Sequence, residues 1–474
     1  MKKKILNITG TLLIFALLVS LTCLTFIYMF SIQNRNESKF GAADMKALEQ
    51  NFAAAGYVDI IGVDNIMPVF VGSVFDGTSV GAFSGEVKER LYRDAFGIVE
   101  KYLLFGTAES VGEYRAREMI EAAVRGDYIY IKYPFAYPKS IIVNFSDRNT
   151  FTNNISDEYL SELFVFYDEA YGAVVTLAFS DGGKYYVYSA EEPEKTGFNN
   201  KIADEYNNAE GTFSFILAKD AKTYPFIEEE RFLSSVSSLA LIPTGNIAVR
   251  GIKAENPYDI LISENVVSSV LANFTLNPEK VSVFTDVDGA KTYFEEGQNV
   301  RVGSDGSIEY SSVGSFAGID VGAVIGYNPE NNVFSLRDKI GATVLISRSI
   351  IRAQGLPDRV GIRLSRIFYD EDGSLSISYD LTYDGVLVKT ERAAFVFNIV
   401  GEHIKKATAF VPNIVETENI SSLPDALWNF VSYAVAGGEK ADFMPVYSVG
   451  ETVTDSEIFA EYSLFFRDNA EVGE

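Results

Sequence analysis

The stretch S-L-S-I-S-Y-D-L-T-Y (Ser374 to Tyr383) carries the clearest structural signal in this chain. Leu375, Ile377, Tyr379, Leu381 and Tyr383 alternate with Ser374, Ser376, Ser378, Asp380 and Thr382. Successive side chains of a strand point to opposite faces. One face is therefore apolar and the other polar, which predicts a half-covered antiparallel sheet. Asp384-Gly385 supplies a tight turn into Val386 to Val388, and Phe395, Phe397 and Ile399 repeat the alternation.

Working outwards, the helical and extended signals interleave. Ser335 and Asp338 resemble a helix start running to about Gln354, with Leu336, Ile340, Val344 and Ile351 inward and Pro357 just past the end. Val300 and Val302 face Ile308 and Tyr310 across Asp305-Gly306, and the strand Val281 to Thr285 precedes the turn Asp288-Gly289. A helix is expected over Ser263 to Asn273. Asp181-Gly182-Gly183 joins two strands, Ala173 to Phe179 and Tyr185 to Tyr188.

Nearer the start, Met45 to Ala55 reads as a helix and Val58 to Phe75 as extended. A further helix covers Ser84 to about Phe105. Ser110 and Glu113 suggest a capping box for the next, which stops at Gly126. Tyr128 to Tyr133 alternates as a strand expected to end at Pro134. Near the other end, a helix around Pro424 to Ala434 carries Trp428. The fold class is α+β, with antiparallel sheets and flanking helices in two or three mixed domains: 36–145, a β-rich 146–327, and 328–474.

The first 34 residues place those domains. Lys2, Lys3 and Lys4 precede an uncharged run from Ile5 to Asn34. A hydrocarbon core of ~30 Å takes about 20 apolar helical residues, so 8–32 is expected to be a transmembrane helix. The leading lysines predict a cytoplasmic tail at 1–7 and an extracytoplasmic remainder. The run is too long for a cleaved signal peptide. Ala16 and Ser20, small and four apart, offer a face on which a partner helix could pack in the bilayer.

Composition narrows the chemistry. Against 40 basic residues stand 65 acidic ones, a net charge of −25. Such a surface repels nucleic acid and anionic polymers. Cys23 is the only cysteine and His403 the only histidine. Intrachain disulfides and thiol nucleophiles are excluded, and zinc, copper or iron sites lack their usual ligands. No cofactor, metal or catalytic residue is assigned.

Local motifs offer alternatives. Gly77-Thr78-Ser79-Val80-Gly81 matches the G-x-S-x-G of a serine nucleophile, with His403 following. The next helix starts too late for that elbow, and Asp76-Gly77 reads as a hairpin turn. No serine has lysine three residues later, as penicillin-binding enzymes require. A paired-carboxylate hydrolase stays open among so many acids. Asp286-Val287-Asp288-Gly289 and Asp370-Glu371-Asp372-Gly373 resemble pieces of calcium loops but lack the full spacing, and hairpins use the same residues.

Y-D-L-T-Y-D-G-V-L-V (Tyr379 to Val388) and A-F-V-F-N-I-V-G-E-H-I-K (Ala394 to Lys405) resemble the C-terminal region of the YycH and YycI proteins. T-Y-F-E-E-G-Q-N-V-R-V-G-S-D-G-S-I-E-Y (Thr292 to Tyr310) is similar to the end of the YycH middle domain. The resemblance implies a single-pass accessory protein of a Gram-positive two-component system governing cell-wall metabolism, with a YycI-like last domain. It implies a sensor histidine kinase and a paralogous accessory membrane protein as partners, beside the lipid bilayer around the anchor. It implies regulation by protein contact and no catalytic residues. The readings weighed against it are a wall-associated hydrolase and a structural or assembly component of the wall or division machinery.

Overall fold

The computed structural model describes residues 67–105, 107–143, 158–180, 184–189, 212–217, 241–244, 247–314, 316–326, 333–423, 441–449 and 457–466, all within one compact unit spanning 51–474. The expected tail at 1–7, the span at 8–32 with Ala16, Ser20 and Cys23, the helix at 45–55, the turn at 181–183 and the helix at 424–434 lie outside the described residues. Among the described residues no helix is long and apolar enough to cross a membrane.

A first sheet is built from β1 (Phe70–Phe75), β2 (Thr78–Ala82), β3 (Thr107–Val111), β4 (Tyr128–Pro138), β5 (Tyr159–Asp168), β6 (Ala173–Ser180) and β7 (Lys184–Ser189). Its seven strands run in the order β2-β1-β4-β5-β6-β7-β3, every neighbour antiparallel. Helices α1 (Gly85–Phe105) and α2 (Glu113–Ala123) pack on it, and α1 buries Leu91, Tyr92, Ala95, Phe96, Val99 and Leu103. A short α3 (Lys139–Ile142) follows β4.

The small pair β8 (Ser214–Leu217) and β9 (Leu241–Thr244) sits beside β2. β10 (Ala248–Glu255) leads through α4 (Tyr258–Leu261) to α5 (Glu264–Asn273).

The largest sheet then takes β11 (Ser282–Thr285), β12 (Lys291–Glu295), β13 (Gln298–Val302), β14 (Ser307–Ser312) and β15 (Ile319–Asp320). After α6 (Val321–Ile325) and α7 (Leu336–Ala353) come β16 (Val360–Tyr369), β17 (Leu375–Tyr383), β18 (Val386–Lys389), β19 (Phe395–Val400), β20 (His403–Phe410), β21 (Asn413–Ser422), β22 (Ala441–Ser448) and β23 (Glu461–Phe466). The sheet order is β11-β12-β13-β14-β20-β19-β17-β18-β22-β23, with β15 on β20 and β16 on β17; β21 pairs with β10 instead. Among the described strands only β18–β22 is parallel. Strand pairing joins residues on both sides of 145 and of 327, where the sequence places domain boundaries.

Mixed α+β architecture with antiparallel sheets is present as expected. The capping box at Ser335 and Asp338 forms, the Ser335 Oγ accepting from the Asp338 N–H. Helix α7 covers the apolar face of β17, where Thr343 Oγ1 and the Tyr379 hydroxyl lie 2.7 Å apart.

Three local expectations are corrected. Ser110 belongs to β3, opposite Tyr186, and α2 begins at Glu113 after Gly112 with no side-chain cap. Ladder bonds to β7 outweigh the cap. Pro134 does not end β4; it sits where the β4–β5 register shifts between Lys132 and Tyr137, so its missing N–H breaks no ladder there. The polar face of β17 is covered as well: Ser376, Ser378 and Thr382 are buried. The end of β4 lies against β16, and the Tyr137 hydroxyl donates to the Leu364 carbonyl at 2.8 Å.

Candidate interaction face

The half-covered sheet lies further along, at β11 to β14 and β20. On one face Val300, Val302, Ile308 and Tyr310 are buried, and Tyr310 stacks on Phe274 at 5.2 Å. The opposite face is open. Register places Phe284 beside Thr292, Phe294 beside Asn299, and Arg301 between Thr292 and Glu309. Ser311 donates to Asn299 Oδ1 at 3.2 Å and pairs across to Lys406. Together they line a shallow groove of about 380 Å³.

Local sequence explains the shape. Asp286 to Gly289 closes the β11–β12 hairpin, with Gly289 at φ +86°, a conformation that glycine adopts without penalty. The Arg301 guanidinium is fixed by two carboxylates, Nη2 at 2.8 Å from Asp288 Oδ2 and Nε at 3.3 Å from Asp286 Oδ2. Phe284 is 60% exposed and Phe294 42%. Exposed rings beside a fixed guanidinium, a lysine and a carboxylate suit an extended protein segment, with apolar area at the centre and polar groups around it.

A second feature joins the two large sheets. Lys88 on α1 is buried, and its Nζ donates to the Gly385 carbonyl at 3.3 Å. The Gly85 N–H donates to the Asp384 carbonyl at 3.0 Å. Burial, then repulsion from Arg363, lowers the Lys88 ammonium to about 7, against opposing pulls from Glu89 and Asp384. Arg363 is itself buried, 3.8 Å from Asp380, with its Nε lacking a hydrogen-bond partner. Burial raises the Asp380 carboxyl, while Arg363 opposes that shift. Tyr92 and Tyr133 share a hydrogen bond at 2.9 Å, and burial pushes the Tyr133 and Tyr137 phenols well up. Val69, Leu387, Met444 and Val446 close the joint with an apolar cluster.

The G-x-S-x-G motif has a packing role throughout. Asp76 and Gly77, both at positive φ, turn β1 into β2. Ser79 Oγ accepts from the Phe215 N–H at 3.0 Å. A Cβ on Gly81 would stand 2.7 Å from the Phe70 ring, so glycine makes room for the Phe70, Phe83, Phe213 and Phe215 cluster. His403 opens β20 in the other sheet, pairs with Asp320 of β15, and has its Nε2 3.6 Å from Asp320 Oδ2. Ser79 and His403 thus stand in different sheets with different partners.

The calcium-like pieces are turns. Asp286 and Asp288 hold Arg301, while Asp370 and Asp372 accept from the Ser374 hydroxyl and N–H. Among the described residues no group of three or more His, Cys, Asp or Glu side chains could hold one ion. Sequence reading did not single out Phe284, Phe294 or Lys88. For the two phenylalanines a signal existed: Val283-Phe284 and Tyr293-Phe294 put apolar residues on both faces of short strands, against the alternation a one-sided core needs.

No family model and no curated protein matches this chain. Its fold is similar to the solved crystal structure of YycH from Bacillus subtilis, with a TM-score of 0.47 and 10% sequence identity, the match covering 85% of this chain and 94% of that one.

Proposed function

We propose that the chain is a non-catalytic, single-pass membrane protein whose extracytoplasmic part modulates a sensor histidine kinase of a two-component system controlling cell-wall metabolism. It acts by contact, binding one state of the kinase better than the other, which is all that a shift of population requires. The observation that carries the reading is the open groove with Phe284 and Phe294 exposed on a rigid sheet face. Support comes also from the strand-and-turn strings at Thr292 to Tyr310 and Tyr379 to Lys405, and from the uncharged run at Ile5 to Asn34. The anchor would bring Ala16 and Ser20 to a membrane partner.

The test is photo-crosslinking in the membrane from Phe284 and, separately, from Ala16. A sensor histidine kinase captured at both positions supports the proposal. Capture of wall enzymes or division proteins at both would replace it with the assembly reading. Hydrolysis of wall polymers by the purified chain, lost on Ser79→Ala, would replace it with an enzyme.

A further inference from the structure

Across the open face, register sets Phe284, Thr292, Arg301 and Glu309 in one row from β11 to β14. A second row beside it runs through Phe294, Asn299, Ser311 and Lys406, from β12 to β20. Opposed residues of antiparallel strands share a face, so each row is a line of side chains crossing the strands. Phe284, Phe294, Glu309 and Lys406 are exposed, and the residues between them are half-buried.

The two rows begin alike and end in opposite charge. Arg301 stands opposite Glu309 but turns its guanidinium to Asp286 and Asp288, so among the described residues Glu309 forms no ion pair. Three carboxylates thus share one guanidinium beside the first row. Lys406, at the end of the second row, is equally without an ion pair among the described residues.

We propose that the first row grips an extended segment of a basic partner protein, laid across the strands with a large apolar side chain on Phe284 and a lysine or arginine four residues away on Glu309. Phe284 and Glu309 stand three strand spacings apart, about 14 Å. In extended chain, residues i and i+4 point to the same side and lie about 13 Å apart. In a helix the same two residues are separated by only about 6 Å along the axis, so a helical ligand cannot bridge the row with them. The residue between them meets Thr292 and Arg301, which suits a small or polar side chain.

Charge decides the sign and the row. A net charge of −25 draws basic segments to the chain and repels acidic ones. Shifted by one row, the same segment would keep an aromatic ring under its apolar residue at Phe294 but bring its base onto the Lys406 ammonium. That repulsion confines it to the first row. The inference rests on the groove as the contact face and adds the chemistry of what it holds.

The experiment selects displayed random twelve-residue peptides on the full chain in lipid nanodiscs, after depletion on empty nanodiscs. The wild type should enrich an apolar residue and Lys or Arg four apart at least tenfold over the unselected library, and over the same pair three or five apart. Phe284→Ala should remove the apolar preference, and Glu309→Gln, close in shape, should drop the base to background. Glu309→Lys should replace the base with Asp or Glu, while Lys406→Ala should leave the base preferred. Phe284, Glu309 and Lys406 are exposed, so all four variants should keep the wild-type melting temperature. No enrichment, an acidic preference on the wild type, a different spacing, a preference indifferent to the Phe284 and Glu309 changes, or one lost with Lys406→Ala would each overturn the proposal. Kinase capture from position 284 without this peptide preference would overturn this proposal alone; the preference without kinase capture would overturn only the kinase reading.

Discussion

The ammonium of Lys88 meets the carbonyl of Gly385 across the seam between the two large sheets, 3.3 Å apart and with 297 positions of sequence between them. A buried cation at that seam couples protonation to the attachment of α1 to the β17–β18 turn. Folding lowers its pKa from 10.5 to about 7, with desolvation the main cause and Arg363 the second. Between those values the unfolded chain carries a proton that the folded chain lacks. Stability should therefore rise with pH from about 7 to about 10 and be lowest below 7, where both states are charged, a span worth roughly 3–5 kcal/mol. Lys88→Met should flatten that rise and stabilise the protein at neutral pH. Denaturation midpoints of both proteins from pH 6 to 10 read the difference; parallel curves would disprove the coupling.

Gly385 is constrained twice. Its φ is +76°, and an added Cβ would lie 2.9 Å from Lys88 Nζ. Gly385→Ala should cost about 1–3 kcal/mol, from the left-handed backbone and the displaced lysine. Gly373→Ala, also at positive φ but with open space around it, should cost only the backbone share. The gap between the two, measured by thermal unfolding, isolates the Lys88 contact.

In the first sheet, Ser79→Ala removes an acceptor from the Phe215 N–H and should destabilise by about 1–2 kcal/mol. Gly81→Ala should cost more, since the new methyl meets the Phe70 and Phe215 rings. Both changes should leave function proportional to the amount of folded protein. Loss of function in a fully folded Ser79→Ala variant would show that the serine does chemistry.

Helix caps give a paired comparison. Ser335→Ala breaks a formed capping box and should cost about 1 kcal/mol, whereas Ser110→Ala, on exposed β3, should change stability little. Equal losses in urea unfolding would contradict the assignment of Ser110 to a strand.

Much of this architecture is legible locally. Turn residues such as Asp384-Gly385 and Asp305-Gly306, the cap at Ser335, and the alternation through Tyr379 each encode their own element. What is not legible depends on distant partners. Ser376 and Ser378 read as a solvated face and are buried in the folded chain. Ser110 reads as a cap until β7 offers it a ladder. Lys88 reads as an ordinary helix-surface residue, yet it is buried with its Nζ on the Gly385 carbonyl. The groove spans five strands, and Phe284, Phe294 and Arg301 become neighbours only once three of them are in register. Alternation within one strand cannot report that.

The most direct measurement is the autophosphorylation rate of the crosslinked kinase in membrane vesicles, with and without this chain. The wild-type chain should change that rate, and Phe284→Ala with Phe294→Ala should return it to the value of the kinase alone while the protein stays folded. A rate indifferent to the wild-type chain, or altered equally by the groove variant, would contradict regulation through this face.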